Sequence, residues 1–265
     1  MRTSESVPAA DADIELPDGL SVRCVTESEA LLLWTEISVD GAYETAAAQL
    51  RDGDVILDVG ANIGLASLAF YSRVPNLRII AFEPAPQTFA CLEENLRRHV
   101  IGGVAVCAAV CDQAGEMAFT FYPNSPGNSS LFADREADDA TTRQFLQNSG
   151  IDDEFIDELV EDLHLGVTLP VPAVTVSDVI RQYRISEVGL LKVDVERAEL
   201  AVLQGIEDEH WPLIRHVVAE VHAEAGRLEL IVGMLQERGF STFVSQSPKL
   251  AGTHLYDLDA HAVRR

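Results

Sequence analysis

The 265-residue chain carries 43 acidic residues against 19 Lys and Arg, a formal charge of −24, and is 47% hydrophobic. That size and apolar content exclude a disordered or fibrous chain and suit one large domain, or one domain with appendages. The negative field repels phosphate backbones and anionic lipid, so neither nucleic acid nor a membrane surface is an expected partner. Only Lys192 and Lys249 are lysines, a skew that reads as coding bias as much as function.

Cys24, Cys91, Cys107 and Cys111 show neither C-x-x-C pairs nor the density of a secreted scaffold, which favours reduced thiols. The N-terminus has early acids and no apolar core of a signal peptide, and no apolar run of about 18 residues spans a bilayer; a soluble, cytoplasmic protein is expected.

Residues 1–20 are small, acidic and Pro-containing and read as a loose arm. Residues 28–50 have helical apolar spacing broken at Asp40-Gly41, predicting short helices ahead of a main domain over 51–265. There, strands are predicted at 55–59, 77–83, 104–110 and 116–122, with helices at 64–73 and 86–99. Residues 123–170 interrupt the alternation as a helical insertion or lid in which Ile151, Phe155, Leu159 and Leu163 share a face. The alternation resumes with a helix at 177–183, a strand at 188–195, a helix at 198–206, a strand at 216–222 and a helix at 226–239, then a final strand pair. Strands separated by crossover helices predict a doubly wound parallel α/β sheet with its ligand at the C-terminal strand ends.

The sharpest local feature is Asp58-Val59-Gly60-Ala61-Asn62-Ile63-Gly64, where an apolar strand gives way to a helix. Gly60 and Gly64 permit tight backbone geometry, and Asn62 tolerates positive φ. Glu83 follows 25 residues after Asp58 at the next strand end, placed to accept hydrogen bonds from both hydroxyls of a ribose. Two cofactor classes share this layout. A dinucleotide wants G-x-G-x-x-G and a helix N-terminus free for pyrophosphate. Asp58 would repel pyrophosphate but suits the cationic amino-acid end of S-adenosylmethionine.

The segments L-D-V-G-A-N-I-G (57–64), A-F-E-P (81–84), A-V-C-D-x-x-G-E (109–116), N-S-S-L (128–131), L-K-V-D-V-E-R-A-E-L-x-V-L-x-G (191–205) and A-E-V-H (219–222) occur in that order. Together they resemble the FkbM family of S-adenosylmethionine-dependent methyltransferases, over roughly residues 40–245. The resemblance implies a Rossmann-like class I methyltransferase fold with a mostly parallel seven-stranded sheet. It also implies methyl transfer to a hydroxyl of a small metabolite, natural-product scaffold or sugar, as in secondary metabolism. Gly60, Ala61, Asn62 and Gly64 would line the methionine and ribose, Glu83 would hold the ribose, and Ala108, Ala109 and Val110 would flank the adenine, with Asp112 a candidate for its amino group. Arg197 stands where the family pattern has glycine, a departure that bears on substrate choice.

Methyl transfer from a sulfonium requires alignment of the acceptor oxygen and removal of its proton. Lys192, Asp194, Glu196 and Glu199 cluster at the end of the 188–195 strand, with Asp194 expected at both the cofactor and the chemistry. Lysine in an apolar run calls for a carboxylate partner or contact with the acceptor. His222 is the expected proton acceptor, oriented by Glu220 or Asp194. Ser129, Ser130, Glu196 and Arg197 are the expected substrate contacts. Asp194, Glu196 and Glu220 offer carboxylates to a divalent ion, but no ligand spacing supports a metal and none is expected. His99, His164, His210 and His216 read as helix-end or surface groups, and Cys107 and Cys111 as small apolar residues on a buried strand. A nicotinamide-dependent oxidoreductase and a non-catalytic binding module of the same fold stay open as alternatives.

Overall fold

The computed structural model describes residues 12–39 and 41–263. It opens with an antiparallel hairpin, β1 (Ala12–Glu15) and β2 (Ser21–Cys24). Leu16, Val22 and Cys24 are buried there, and Asn95 binds Arg23 through both backbone groups, so the loose-arm expectation fails for residues 12–20. Residues 1–11 of that expectation lie outside the described residues. Helices α1 (Glu27–Val39) and α2 (Gly41–Gln49) follow as expected, while Asp40, the predicted break, lies outside the described residues.

The alternation of β3 (Val55–Val59), α3 (Leu65–Arg73), β4 (Arg78–Phe82) and α4 (Pro86–His99) matches its prediction closely. The single strand predicted at 104–110 is instead two. β5 (Val104–Val106) joins the large sheet and β6 (Ala109–Val110) a second one, because a tight turn from Ala108 N–H to Val106 O redirects the chain. Cys107 therefore sits at the kink and Cys111 just beyond β6; all four cysteines are free thiols. β7 (Gly115–Phe121) precedes the insertion helices α5 (Arg135–Asn148) and α6 (Asp153–Val160).

The insertion ends in an unforeseen strand, β8 (Val167–Val174), which lies between β6 and β7. Pro170 and Pro172 hid it, since proline argues against a paired strand. Standing two apart, they put both missing donors on one side of the strand, and the ladder to β7 survives. α6 buries Ile156 and Val160, whereas Ile151, Phe155 and Leu159 on the expected face are exposed.

Then come α7 (Val176–Tyr183), β9 (Leu190–Val193), α8 (Glu199–Gln204), β10 (His216–His222), α9 (Arg227–Glu237), β11 (Phe240–Ser245) and β12 (Leu255–Ala262). The large sheet has the order β11-β12-β10-β9-β3-β4-β5, parallel except for β12. Central strands are apolar on both faces because both are covered. Leu57, Val59, Leu191 and Val193 pack with α7, α8 and α9, and Ile56, Ile79 and Leu190 with α1 to α4. Strand order reverses at β3, between β4 and β9, which opens a crevice at the C-terminal strand ends. Among the described residues no helix is long and apolar enough to cross a membrane.

Candidate active site

The crevice is a cavity of about 860 Å³. Its floor is the turn between β3 and α3. Gly60 has φ of +75°, and a Cβ there would lie 1.7 Å from the Asp194 carbonyl oxygen, so only glycine fits. The turn satisfies its own donors. Gly60 and Ala61 N–H both donate to Phe82 O at 3.1 and 2.9 Å, and Gly64 N–H donates to Ala61 O at 2.8 Å. Ile63 N–H donates to Asn62 Oδ1, and Asn62 N–H to the Glu83 carboxylate. A pyrophosphate would find no backbone N–H free in residues 60–64.

Lys192 Nζ is buried beneath this turn and donates to Gly60 O at 2.7 Å, lying 3.1 Å from Asp58 Oδ1 and 3.2 Å from Asp194 Oδ2. Burial alone would depress its pKa; the two carboxylates outweigh it and hold the ammonium charged. Asp58 completes its own set by accepting Ser67 Oγ at 2.6 Å.

Glu83, at the end of β4, is buried on the cavity wall and accepts Ala85 N–H at 2.9 Å. Burial lifts its pKa to about 7, against the pull of those backbone donors and of Lys192.

On the opposite side Asp194, Glu196 and Glu220 line the cavity, with one carboxylate oxygen from each within 4.8 Å of the others. Such a set can hold protons or a hard divalent ion. Glu220 has no hydrogen-bond or ion-pair partner among the described residues, and burial followed by repulsion from Asp194 and Glu196 pushes its pKa well above the carboxylate range. Tyr43 of α2 donates its hydroxyl to Asp194 Oδ2 at 3.3 Å.

His222 lies behind this wall. Its Nδ1 is 2.9 Å from Glu199 Oε1 and its Nε2 is 3.1 Å from Glu196 Oε2. Burial opposes the charged ring, but the two glutamates prevail and raise its pKa well above the usual histidine value.

Residues 58–242 match the Methyltransferase FkbM domain. The chain is 40% identical over 248 residues to 31-O-demethyl-FK506 methyltransferase FkbM of Streptomyces tacrolimicus, covering 93% of this chain and 95% of that protein. It is 34% identical over 236 residues to methyltransferase sdnD of Sordaria araneosa, covering 84% and 86% respectively. Among solved structures, magnesium protoporphyrin IX methyltransferase of Synechocystis PCC 6803 with bound SAM aligns with a TM-score of 0.45 at 10% identity, over 89% of this chain and 82% of that one. The chain belongs to the FkbM methyltransferase family.

This FkbM methyltransferase has the Rossmann-like class I fold that its sequence resembled, with S-adenosylmethionine the cofactor that the family implies. The site fits that cofactor. A buried carboxylate that accepts backbone N–H groups and faces the cavity suits a sugar diol, and a turn whose backbone N–H groups are all engaged suits a phosphate-free ligand. The family match sets the nicotinamide alternative aside.

Gly60, Ala61, Asn62, Glu83, Ala108, Ala109 and Val110 all reach the cavity, as do Lys192, Asp194, Glu196, Glu220 and Ser129. Six expected site residues do not. Asp58 is fully buried against the Lys192 ammonium and Ser67, so it braces the wall and does not reach a ligand in the cavity. Gly64 faces Leu92, serving helix packing. Asp112 is exposed beyond β6, accepting the Cys111 thiol. Ser130 is turned away, its hydroxyl donating to Glu196 O. Arg197 is buried against Asp138 of α5 and Glu224. His222 is enclosed by two glutamates, so as a charged ring with both nitrogens engaged it has no capacity to accept a proton. Lys192 reaches the cavity hydrogen-bonded to Gly60 O and ion-paired with Asp58 and Asp194, which resolves the sequence question in favour of carboxylate pairing. Glu199, expected in the same cluster, is fully buried beside His222.

His164, His210 and His216 are buried, not surface groups; His164 pairs with Asp139, His210 with Ser177 and His216 with Asp259. Sequence reasoning also missed the contribution of α1 and α2, whose Glu29, Leu33, Glu36 and Tyr43 line the cavity together with Thr26 just before α1. No local spacing marks them, because only the folded chain brings them to the strand ends.

Proposed function

We propose that the protein is an O-methyltransferase acting on a hydroxyl of a small natural-product or sugar molecule, with Glu220 as the group that takes the hydroxyl proton. The observation that carries this reading is the unpartnered Glu220 carboxylate on the wall of the cavity that Glu83 and the glycine turn also line. The name of the Streptomyces tacrolimicus relative, which specifies an oxygen, supports the same chemistry.

When bound, S-adenosylmethionine supplies a methyl group on a positively charged sulfur. The turn at 60–62 and Glu83 would hold the cofactor, the Glu83 carboxylate being placed to accept from ribose hydroxyls, and Ala108 to Val110 would flank the base. Glu220 would receive the proton of the acceptor hydroxyl and become a neutral acid, with no covalent bond made to the protein. Burial and the neighbouring carboxylates raise the affinity of this carboxylate for a proton, which suits a group that receives one. Asp194 and Glu196 keep Glu220 basic by repulsion, while Lys192 and His222 stay charged and fix those two carboxylates. The reading uses no metal ion, since the cofactor itself brings a sulfonium and an ammonium into this acid-lined cavity.

The test is methyl transfer from cofactor carrying a ¹³C-methyl group to a panel of hydroxylated natural products and sugars, with the product read by NMR. A labelled methyl on oxygen is expected. Label found on nitrogen or carbon would overturn the assignment.

A further inference from the structure

Glu29 of α1 lies outside residues 58–242, the segment that matches the family domain, yet it lines the cofactor cavity. Its Oε1 accepts the N–H of Gly127 at 2.6 Å, a contact spanning 98 residues of sequence, and its Oε2 accepts the Thr26 hydroxyl at 3.3 Å. Gly127 is the tip of a compact turn. Asn128 N–H donates to Ser125 O at 3.1 Å, Ser129 N–H to Pro126 O at 3.2 Å, and Ser125 Oγ to Asn128 Oδ1 at 2.6 Å.

The legs of this turn are tied to the insertion sheet. Tyr122 N–H donates to Ser129 Oγ at 3.0 Å, and Ser130 pairs with Thr120. Its tip lies over the glycine turn, for a Cβ built on Gly127 would be 2.9 Å from Glu29 Oε1 and 3.4 Å from Asn62 Nδ2. Asn62 in turn donates its N–H to Glu83. Gly127 thus sits between Glu29 of α1, to which it is bonded, and Asn62, whose N–H meets the Glu83 carboxylate.

We propose that Glu29 is a positioning residue of the cofactor site: its hydrogen bond to Gly127 clasps the 124–129 turn over Asn62 and sets how long the cofactor is held. The inference rests on S-adenosylmethionine as cofactor, not on the identity of the acceptor or of the base. What the clasp requires is an acceptor oxygen at the right reach. A negative charge is not required, because the partner is a neutral amide.

That distinction makes the test specific. S-adenosylhomocysteine is the probe, with affinity read by calorimetry and release by stopped-flow displacement on the full chain. Glu29→Gln keeps reach without charge, Glu29→Asp keeps charge without reach, and Glu29→Ala keeps neither. Expected are a roughly ten-fold loss of affinity in the Asp and Ala variants, carried by faster release, and a change under about two-fold in the Gln variant. Without any ligand, amide exchange at Gly127 should be slow in wild type and Glu29→Gln and fast in the other two.

Should the Ala variant misfold, the Asp and Gln variants carry the comparison. Wild-type release rates in both Asp and Ala variants would overturn the clasp. So would wild-type binding by Glu29→Asp with loss in Glu29→Gln, which would assign the charge to the cofactor directly. Wild-type protein that binds no S-adenosylhomocysteine would overturn the cofactor assignment and the clasp together, whereas unchanged Gly127 exchange overturns the clasp alone.

Discussion

Lys192 on β9 and Asp58 on β3 are register partners in adjacent parallel strands, and their charged groups meet at 3.1 Å with both side chains buried. The same ammonium holds Gly60 O and Asp194, so one cation fixes both the glycine turn and the first residue of the acidic wall. Replacing Lys192 with Met leaves Asp58 buried without a cation. A loss of about 3–5 kcal/mol is expected, on the order of 10 °C in Tm for a chain of this size. Scanning calorimetry checks it, and a Lys192→Met, Asp58→Leu double variant should recover part of the loss.

Glu83 makes cofactor binding depend on pH. Accepting two ribose hydroxyls needs the carboxylate, and the free site holds its pKa at about 7. Affinity for S-adenosylhomocysteine should therefore weaken about ten-fold between pH 8 and pH 6, by the one-proton linkage of a group titrating between them. Calorimetry across that range, with Glu83→Gln showing weaker but level binding, is the check. In the free protein the sign for stability is opposite. The native state binds a proton that the unfolded chain releases near 4.5, so this contribution falls as pH rises from 4.5 to about 7.

Glu220 and His222 share a strand and a face, and their substitutions should separate cleanly. Glu220→Gln is expected to lower turnover roughly 10²- to 10⁴-fold on the acceptor that the labelling assay identifies, with S-adenosylhomocysteine affinity unchanged. His222→Gln should act on stability. The folded ring titrates above its ordinary value of 6.5, so its charge stabilises fully below pH 6.5 and the benefit fades as pH climbs through the elevated value. Denaturant titrations should show the largest deficit of His222→Gln at pH 6 and a smaller one at alkaline pH.

Arg197 tests two opposed effects at one position. Its φ is +70°, following Glu196 at +51°, so glycine would relieve about 1 kcal/mol of left-handed strain. Glycine would also leave Asp138 buried with only the Tyr122 hydroxyl at 2.9 Å, where breaking a buried ion pair costs about 3–5 kcal/mol. The second effect wins. Arg197→Gly should destabilise by about 2–4 kcal/mol, and Arg197→Gly with Asp138→Leu by less, as chemical denaturation can measure.

Much of the scaffold was legible because its signals are local. The buried strands at 55–59 and 216–222, the helix at 86–99 and the positive-φ turn at Gly60 and Asn62 each announce themselves within a few residues. β8 was not legible, since Pro170 and Pro172 look like strand breakers until the free side of the strand is known. Nor was the split of 104–110, where every residue is apolar and only the turn at Ala108 shows where one sheet ends.

The sequence by itself determined the family, most of the order of strands and helices, and the positive-φ turn at the end of β3 where the cofactor is proposed to lie. Those follow from apolar period, glycine geometry and ordered motifs, which act over short range. Tertiary structure alone decided which polar groups face the ligand. Strand parity puts Lys192, Asp194 and Glu196 on one face, but β9 ends at Val193 and the backbone turns through positive φ at Glu196 and Arg197, so parity lapses just where the chemistry begins. That turn lays Glu196 and Glu199 against His222 and leaves Glu220 open to the cavity. Charge pairing over distances that no local pattern encodes separates the braces of this site from its working groups.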